Sequence, residues 1–307
     1  VRIAFFGTPE FAVPSLAALL DGGFEVPLVV TQPDRPVGRH AEVRSSPVGA
    51  LAALRGIPVA RPEKIRGNAA FLQQLADARP DAAAVVAYGR LLPREVLDLP
   101  RLGCVNVHAS LLPRHRGASP IQAAILAGDR VTGVVTMRIE EQLDAGPIYL
   151  ERRVAIEPRQ SAGELSERLA REGAILLVET LRRLGSGDLK ARLQTGEPTF
   201  SKTIRRDDGR IEWEMPAEEI ERRLRAFTPW PGVFAFLGKE RIKVLDAQSV
   251  PDGSGDPPGT LVARDGGALA VAGRGSALRL LKVQRAGRKP ISGEEFLRGL
   301  ALPARLL

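Results

Sequence analysis

Asn106 and His108 stand two residues apart in the stretch Gly103-Cys104-Val105-Asn106-Val107-His108-Ala109-Ser110-Leu111-Leu112-Pro113-Arg114-His115-Arg116-Gly117. The apolar run before Pro113 predicts an extended strand, and side chains two apart in a strand point to one side. Asn106 brings two N–H donors, and the imidazole of His108 can donate, accept or carry a proton near neutral pH. A donor pair at a strand end, followed by a tight loop, suits a carbonyl whose oxygen becomes negative during reaction. Asp144, in Leu143-Asp144-Ala145-Gly146, is the carboxylate available to orient His108 and favour its charged form. At about 4 Å and an effective dielectric of about 20 such a pair is worth about 4 kcal/mol, before desolvation subtracts from it. Taken alone, an Asn-x-His also reads as a hydrogen-bonded core histidine, and Asp144 as a turn residue. Cys104, the single cysteine, lies in the same apolar run and reads as a small core thiol rather than a nucleophile.

Elements must bring these groups to one spot. Residues 2–6 read as a short buried strand followed by Gly7-Thr8-Pro9. Residues 14–20 predict a helix stopped by Gly22-Gly23, and residues 26–31 a second strand. This β-α-β opening favours an α/β fold with a Rossmann-like, doubly wound parallel sheet. Its first turn lacks G-x-G-x-x-G, so a dinucleotide site has no support. Residues 32–47 form a long polar loop carrying Arg35, Arg39 and Arg44; such a loop is often functional and is otherwise plain surface. Helices are expected at residues 47–55 and 68–78. Residues 82–87 are wholly apolar, as an interior parallel strand should be, and end in Tyr88-Gly89-Arg90. Ligands of open parallel sheets bind outside the carboxyl ends of strands, so the ends near Phe6, Tyr88 and His108 should share one crevice.

Further on, residues 121–127 predict a helix, 131–139 a strand leading to Asp144, and 148–154 an edge strand. Ser161-Ala162-Gly163-Glu164 is a capping box opening a helix to about residue 184. Residues 190–208 lack a periodic pattern and read as a linker. The texture then changes to one amphipathic helix at 217–226, the turn Pro229-Trp230-Pro231-Gly232, and short strand-like runs at 233–237, 241–245, 260–264, 268–272 and 277–283. Short strands punctuated by Gly and Pro suggest a small, OB-like barrel, and Ser292-Gly293-Glu294-Glu295 caps a last helix. The expected organisation is a catalytic domain over residues 1–189, a linker over 190–206 and a C-terminal barrel domain over 207–307. No metal-ligand cluster is evident, and no metal is expected.

With 44% hydrophobic and 26% charged residues, the composition suits a globular protein with a sizeable core. No apolar run approaches the roughly 20 residues that span a bilayer, and no basic and apolar leader opens the chain. A cytoplasmic, monomeric protein is expected. The net charge of +8 is uneven: residues 190–307 hold 21 Lys and Arg against 15 Asp and Glu, whereas residues 1–189 hold 23 against 21. A basic half can bind a polyanion or can be only a solvated surface.

Asn106, His108, Ser110-Leu111-Leu112-Pro113, Gly117 and Leu143-Asp144-x-Gly146 together resemble the folate-dependent formyltransferases. Other segments are similar to the tRNA-acting branch of that family: Phe6-Gly7-Thr8-Pro9-Glu10-Phe11-Ala12, Thr31-Gln32-Pro33-Asp34-Arg35-Pro36 with Gly38-Arg39, Ser46-Pro47-Val48, Val86-Ala87-Tyr88-Gly89, Arg210-Ile211-x-Trp213 and Ala226-Phe227-x-Pro229-Trp230-Pro231-Gly232. The resemblance runs collinearly along nearly the whole chain. Departures are the missing lysines after Arg39, His115 where an aromatic residue is usual, and Ala145 in place of a common Thr.

The resemblance implies transfer of the formyl group of 10-formyltetrahydrofolate to the α-amino group of initiator methionyl-tRNA. It implies that Asn106 and His108 stabilise the oxyanion while Asp144 holds His108. Ser110, Leu111, Leu112 and Pro113 would line the folate pocket, with Tyr88, Gly89 and Arg90 beside the pterin. Arg39, with Arg35 and Arg44, would meet the tRNA acceptor arm. Lys202, Arg205, Arg206, Arg285, Arg288 and Lys289 would track phosphates. A formyltransferase acting on a small amine such as an amino sugar is the competing expectation; the second domain and the Arg39 loop speak against it.

Overall fold

Ile3, Ala4, Phe5 and Phe6 have no solvent exposure, because the strand they form is covered on both faces, as in parallel sheets. In the computed structural model, which describes residues 1–37, 42–264, 267–302 and 304–307, the chain divides into two compact units. The first is Val1–Pro120, Val131–Ala155 and Ser166–Lys202; the second is Ile121–Arg130, Ile156–Leu165 and Thr203–Leu307.

The first unit is built on a seven-stranded sheet. Its spatial order is Ile148–Ala155, Val131–Arg138, Cys104–His108, Ala82–Val86, Arg2–Gly7, Glu25–Val30 and Val59–Ala60. The last five of these run parallel to one another, and Val131–Arg138 lies antiparallel to Cys104–His108. The chain builds outward from Arg2–Gly7 through Glu25–Val30 to Val59–Ala60, then reverses, Ala82–Val86 pairing with the other side of Arg2–Gly7. One face packs Phe6, Leu28, Val30, Phe71, Leu75, Val85, Tyr88 and Cys104 into a core. On the other, Gly173 lets its helix approach so closely that a Cβ would press into Val107. Fully burying each such Leu or Phe is worth about 1.5–3 kcal/mol.

The long helix Ala162–Ser186 starts at the expected capping box: Ser161 N–H donates to Glu164 Oε2 at 2.9 Å, and Glu164 N–H to Ser161 Oγ at 3.3 Å. The polar loop over residues 32–47 departs from expectation. It contains two short antiparallel strands, Arg35–Val37 and Glu42–Arg44.

The second unit carries the helix Ala217–Ala226 at the predicted bounds. Its antiparallel sheet runs Val233–Leu237, Glu240–Pro251, Ser276–Arg285, Gly267–Ala272, Thr260–Arg264 and Ala304–Arg305. Glu240–Pro251 extends well past the expected 241–245. Register shifts around Asp246 mark bulges, which bend a long strand and increase its twist. The bend brings the sheet round on itself: Phe236 and Leu307 exchange N–H···O bonds of 2.8 and 2.7 Å. The result is the curled, barrel-like sheet expected from the short Gly-punctuated runs.

Candidate active site

Cys104–His108 is an interior strand, flanked by Ala82–Val86 and Val131–Arg138. Asn106 stands opposite Val85 and Met137, and His108 opposite Val135. Val135 and Met137 form an apolar cluster with Leu112 and Ile148, so the imidazole rests beside hydrocarbon. Asn106 is half-buried and His108 is buried.

His108 Nε2 donates to the His115 carbonyl oxygen at 3.1 Å. A carbonyl only accepts, so in the neutral ring the proton sits on Nε2 and Nδ1 keeps a lone pair. Nδ1 faces Asp144 Oδ2 at 3.8 Å, too far for a hydrogen bond but close for a charge interaction. Asp144 Oδ2 also accepts the Gly117 N–H at 2.7 Å. Gly117 has a φ of +110°, and a Cβ there would run into the Ser201 carbonyl, so the residue must be glycine. Burial pushes the His108 pKa below the ordinary histidine value; Asp144 and the His115 carbonyl pull it up without cancelling that push, and the neighbouring His115 and Arg116 charges push it down further. Asp144 thus favours the charged form, as expected from sequence, but desolvation outweighs it and holds the His108 pKa below the ordinary value.

Residues 190–202, read from sequence as part of a linker, supply the support for this site. Gln194 Nε2 donates to the carbonyls of Asp144 and Gly146, both at 2.8 Å. Its Oε1 accepts from Arg116 at 3.2 and 2.7 Å. Thr199 Oγ1 accepts the His115 N–H at 2.8 Å, and its carbonyl accepts the Arg116 N–H at 2.8 Å. Ser201 Oγ donates to the Arg116 carbonyl and accepts the Ser119 N–H. These residues carry no motif and no periodicity, and their partners lie 48 to 85 positions away in sequence; no local signal announces them.

Of the residues expected around a folate, Ser110 is fully buried and its Oγ donates to the Arg114 carbonyl at 2.6 Å. Leu112 is buried, and Leu111 and Pro113 are half-buried. The Tyr88 ring lies in the core, edge-on to Phe6 at 5.4 Å between centroids. Its hydroxyl has no partner among the described residues, and burial raises its pKa. Gly89 is exposed, whereas Arg90 donates to the carbonyls of Pro62 and Glu63 at 3.0 and 2.7 Å. A cavity of about 670 Å³ opens at the other end of the His108 strand, lined by Leu97, Leu102, Cys104, Arg138, Ile139 and Tyr149 among others; Asn106, His108 and Asp144 do not line it.

Of the basic residues, Arg44, Lys202, Arg205, Arg206, Arg288 and Lys289 are exposed. Arg285 is instead held by Glu240 in a two-pronged ion pair, with Nε–O distances of 2.9 and 3.1 Å. Arg39 lies outside the described residues, and Arg35 is described by its backbone alone. Among the described residues no group of three or more His, Cys, Asp or Glu could hold a metal, and no helix is long and apolar enough to cross a membrane.

Comparison with known proteins bears on the family and the fold. A family model described as formyl transferase matches residues 1–181, and one described as formyl transferase, C-terminal domain, matches residues 203–301. A methionyl-tRNA formyltransferase of Aromatoleum aromaticum is 46% identical over 99% of this chain and 96% of its own length. One of Phenylobacterium zucineum is 47% identical over 99% and 98%. Among solved structures, an N-formyltransferase of Helicobacter canadensis in complex with folinic acid and dTDP-3-aminofucose shares the fold, with a TM-score of 0.65 at 16% identity over 93% of this chain and 99% of that one. HypX of Aquifex aeolicus in complex with tetrahydrofolic acid matches with a TM-score of 0.61 at 17% identity, over 96% of this chain and 46% of that one.

Proposed function

The chain belongs to the methionyl-tRNA formyltransferases, and from that membership we propose how its own residues formylate methionyl-initiator tRNA for translation initiation. The family's co-substrate is a folate derivative, here 10-formyltetrahydrofolate, which supplies a transferable formyl group. The residues fit such a group: Leu91 and Leu143 are 75% and 49% exposed, one on the loop after Tyr88 and one beside Asp144. They offer apolar faces to a flat heterocycle, whereas the Tyr88 ring and hydroxyl stay in the core. Leu111, Leu112, Pro113 and the main chain at Ser110, Tyr88, Gly89 and Arg90 would hold it.

The observation that carries the reading is the geometry of buried His108, whose Nε2–H is taken by the His115 carbonyl at 3.1 Å so that Nδ1 faces Asp144 Oδ2 at 3.8 Å. Nδ1 takes the proton that the attacking amine must lose, and Asp144 stabilises the imidazolium so formed. As the amine attacks the formyl carbon, the Asn106 amide and the new Nδ1–H would donate to the oxygen that gains negative charge. The carbonyl would then re-form as the carbon–N10 bond breaks, the Nδ1 proton passing to N10 so that tetrahydrofolate leaves and the neutral imidazole returns. Losing one such donor typically costs about 10²–10³ in rate. The nucleophile is the substrate's own amine, so no Ser or Cys nucleophile is called for. Cys104 suits no such role, since burial pushes its thiol up to about 12.

In this reading the first unit, which reaches to Lys202, carries the chemistry, and basic residues of both parts grip the tRNA. Arg44, Lys202, Arg205, Arg206, Arg288 and Lys289, with Arg35 and Arg39, add salt-sensitive affinity by meeting phosphates. Arg285 is the weakest of these candidates because Glu240 already occupies it. The protein works in the cytoplasm as a monomer. The test is formyl transfer from 10-formyltetrahydrofolate to charged initiator tRNA, with free methionine and charged elongator tRNA as controls. Transfer to the initiator alone is expected. Folate turnover with formylation of a small amine and not of tRNA overturns the acceptor.

A further inference from the structure

We propose that Gln194 is a positioning residue for the transfer: its side-chain amide locks the Asp144 loop to the loop whose His115 carbonyl holds His108, and so sets the His108–Asp144 approach. The inference rests on the reading of His108 and Asp144 as the catalytic pair.

Asp144 needs bracing. Its φ is +50°, a left-handed conformation uncommon for a non-glycine residue though more accessible to Asp than to most, and here its neighbours fix it. On one side its carboxylate accepts the Gly117 N–H. On the other, its carbonyl and that of Gly146 both point at Gln194 Nε2, 2.8 Å away. Gly146 lies so close to the Arg138 carbonyl that a Cβ there would overlap it. Both hydrogens of the Gln194 amide thus have acceptors on the Asp144 loop, and its oxygen has the buried guanidinium of Arg116. Arg116 directly follows His115, whose carbonyl receives His108 Nε2–H. One side chain therefore ties the two halves of the pair together.

Only a primary amide meets all of these partners. A carboxylate of the same shape could still accept from Arg116, but it would set its own oxygens against two carbonyl oxygens. Leu193 and Thr195 on either side are exposed while Gln194 turns inward, so its place is set by these bonds and not by apolar packing. Misplacing a reacting group by about 1 Å can cost about 10² in rate.

The test uses Gln194→Ala and Gln194→Glu in the full-length protein, each alone and combined with Asp144→Asn. Gln194→Glu keeps the Arg116 partnership, so it retains the fold even where Gln194→Ala does not. Expected for the single variants is a kcat lower by about 10- to 100-fold with KM for donor and tRNA within about threefold. In the Asp144→Asn background neither substitution should lower kcat by more than about twofold further, because both act on one unit. A Gln194→Glu enzyme with kcat within threefold of wild type, a rise in KM alone, or losses that multiply in the Asp144→Asn background would each overturn the proposal. If Asp144→Asn itself transfers formyl at the full rate, the underlying reading of the pair fails instead.

Discussion

Replacing Asp144 by Asn removes one negative charge and little else. The Asn oxygen can still accept the Gly117 N–H, which now bonds Oδ2 at 2.7 Å, so the loop keeps its anchor. What disappears is attraction between the carboxylate and a proton on His108 Nδ1, 3.8 Å away. At an effective dielectric of about 20 that attraction is about 4 kcal/mol, or about 10³ in the population of the charged imidazole. The value is not much screened, because the two side chains are only 7% and 12% exposed. If the imidazolium is formed as the amine attacks, kcat should fall by about 10³ with KM for tRNA unchanged. The acid limb of the kcat/KM profile should also move. Burial already holds the His108 pKa below its ordinary value; loss of the neighbouring anion lowers it further, so the limb shifts to lower pH. Single-turnover transfer measured from pH 5 to 9 tests both. A kcat within threefold of wild type, or an acid limb displaced upward, would refute the proposed proton path.

His108 should also leave its mark on stability. Its pKa is depressed in the folded protein, so below about pH 6.5 the unfolded chain binds the extra proton and stability falls with falling pH. Urea midpoints should therefore drop more between pH 7.5 and 5.5 in wild type than in His108→Asn; equal drops would contradict a buried neutral ring. Cys104, pushed up to about 12 by burial, should resist iodoacetamide at pH 8 in the native protein and react readily in denaturant, and rapid native labelling would show that the core opens there. Replacing Arg288 and Lys289 by Ala should weaken tRNA binding and reduce the slope of log K against log salt by about 1–2. An unaltered slope in filter binding would remove this turn from the interface.

The local elements were legible because they follow from local rules. Alternating or continuous apolar runs place six of the seven strands of the first sheet, the two-residue edge strand Val59–Ala60 being too short to show a pattern. Ser161 and Ser292 mark helix starts through their capping boxes, and the helix Ala217–Ala226 follows from its amphipathic spacing. The two-residue period of a strand puts Asn106 and His108 on one side, and the Leu-Asp-x-Gly segment supplies the facing carboxylate. That much comes from short-range geometry and side-chain chemistry, which a sequence carries openly.

Tertiary structure decided the rest. The protonation state of His108 is a contest between burial and a nearby anion, and only packing against Val135 and Met137 shows that burial wins. Tyr88 and Arg90 sit where a ligand contact was expected, yet the ring belongs to the core and the guanidinium to two loop carbonyls. Arg285 looks like any exposed cation in the sequence until Glu240, 45 residues away, is found bonded to it. Gln194, Thr199 and Ser201 form no pattern, because a hydrogen bond between residues dozens of positions apart depends on where the folded chain brings two polar atoms together. A sequence specifies which groups are present and which side of a strand they face; distance, desolvation and partnership belong to the assembled fold.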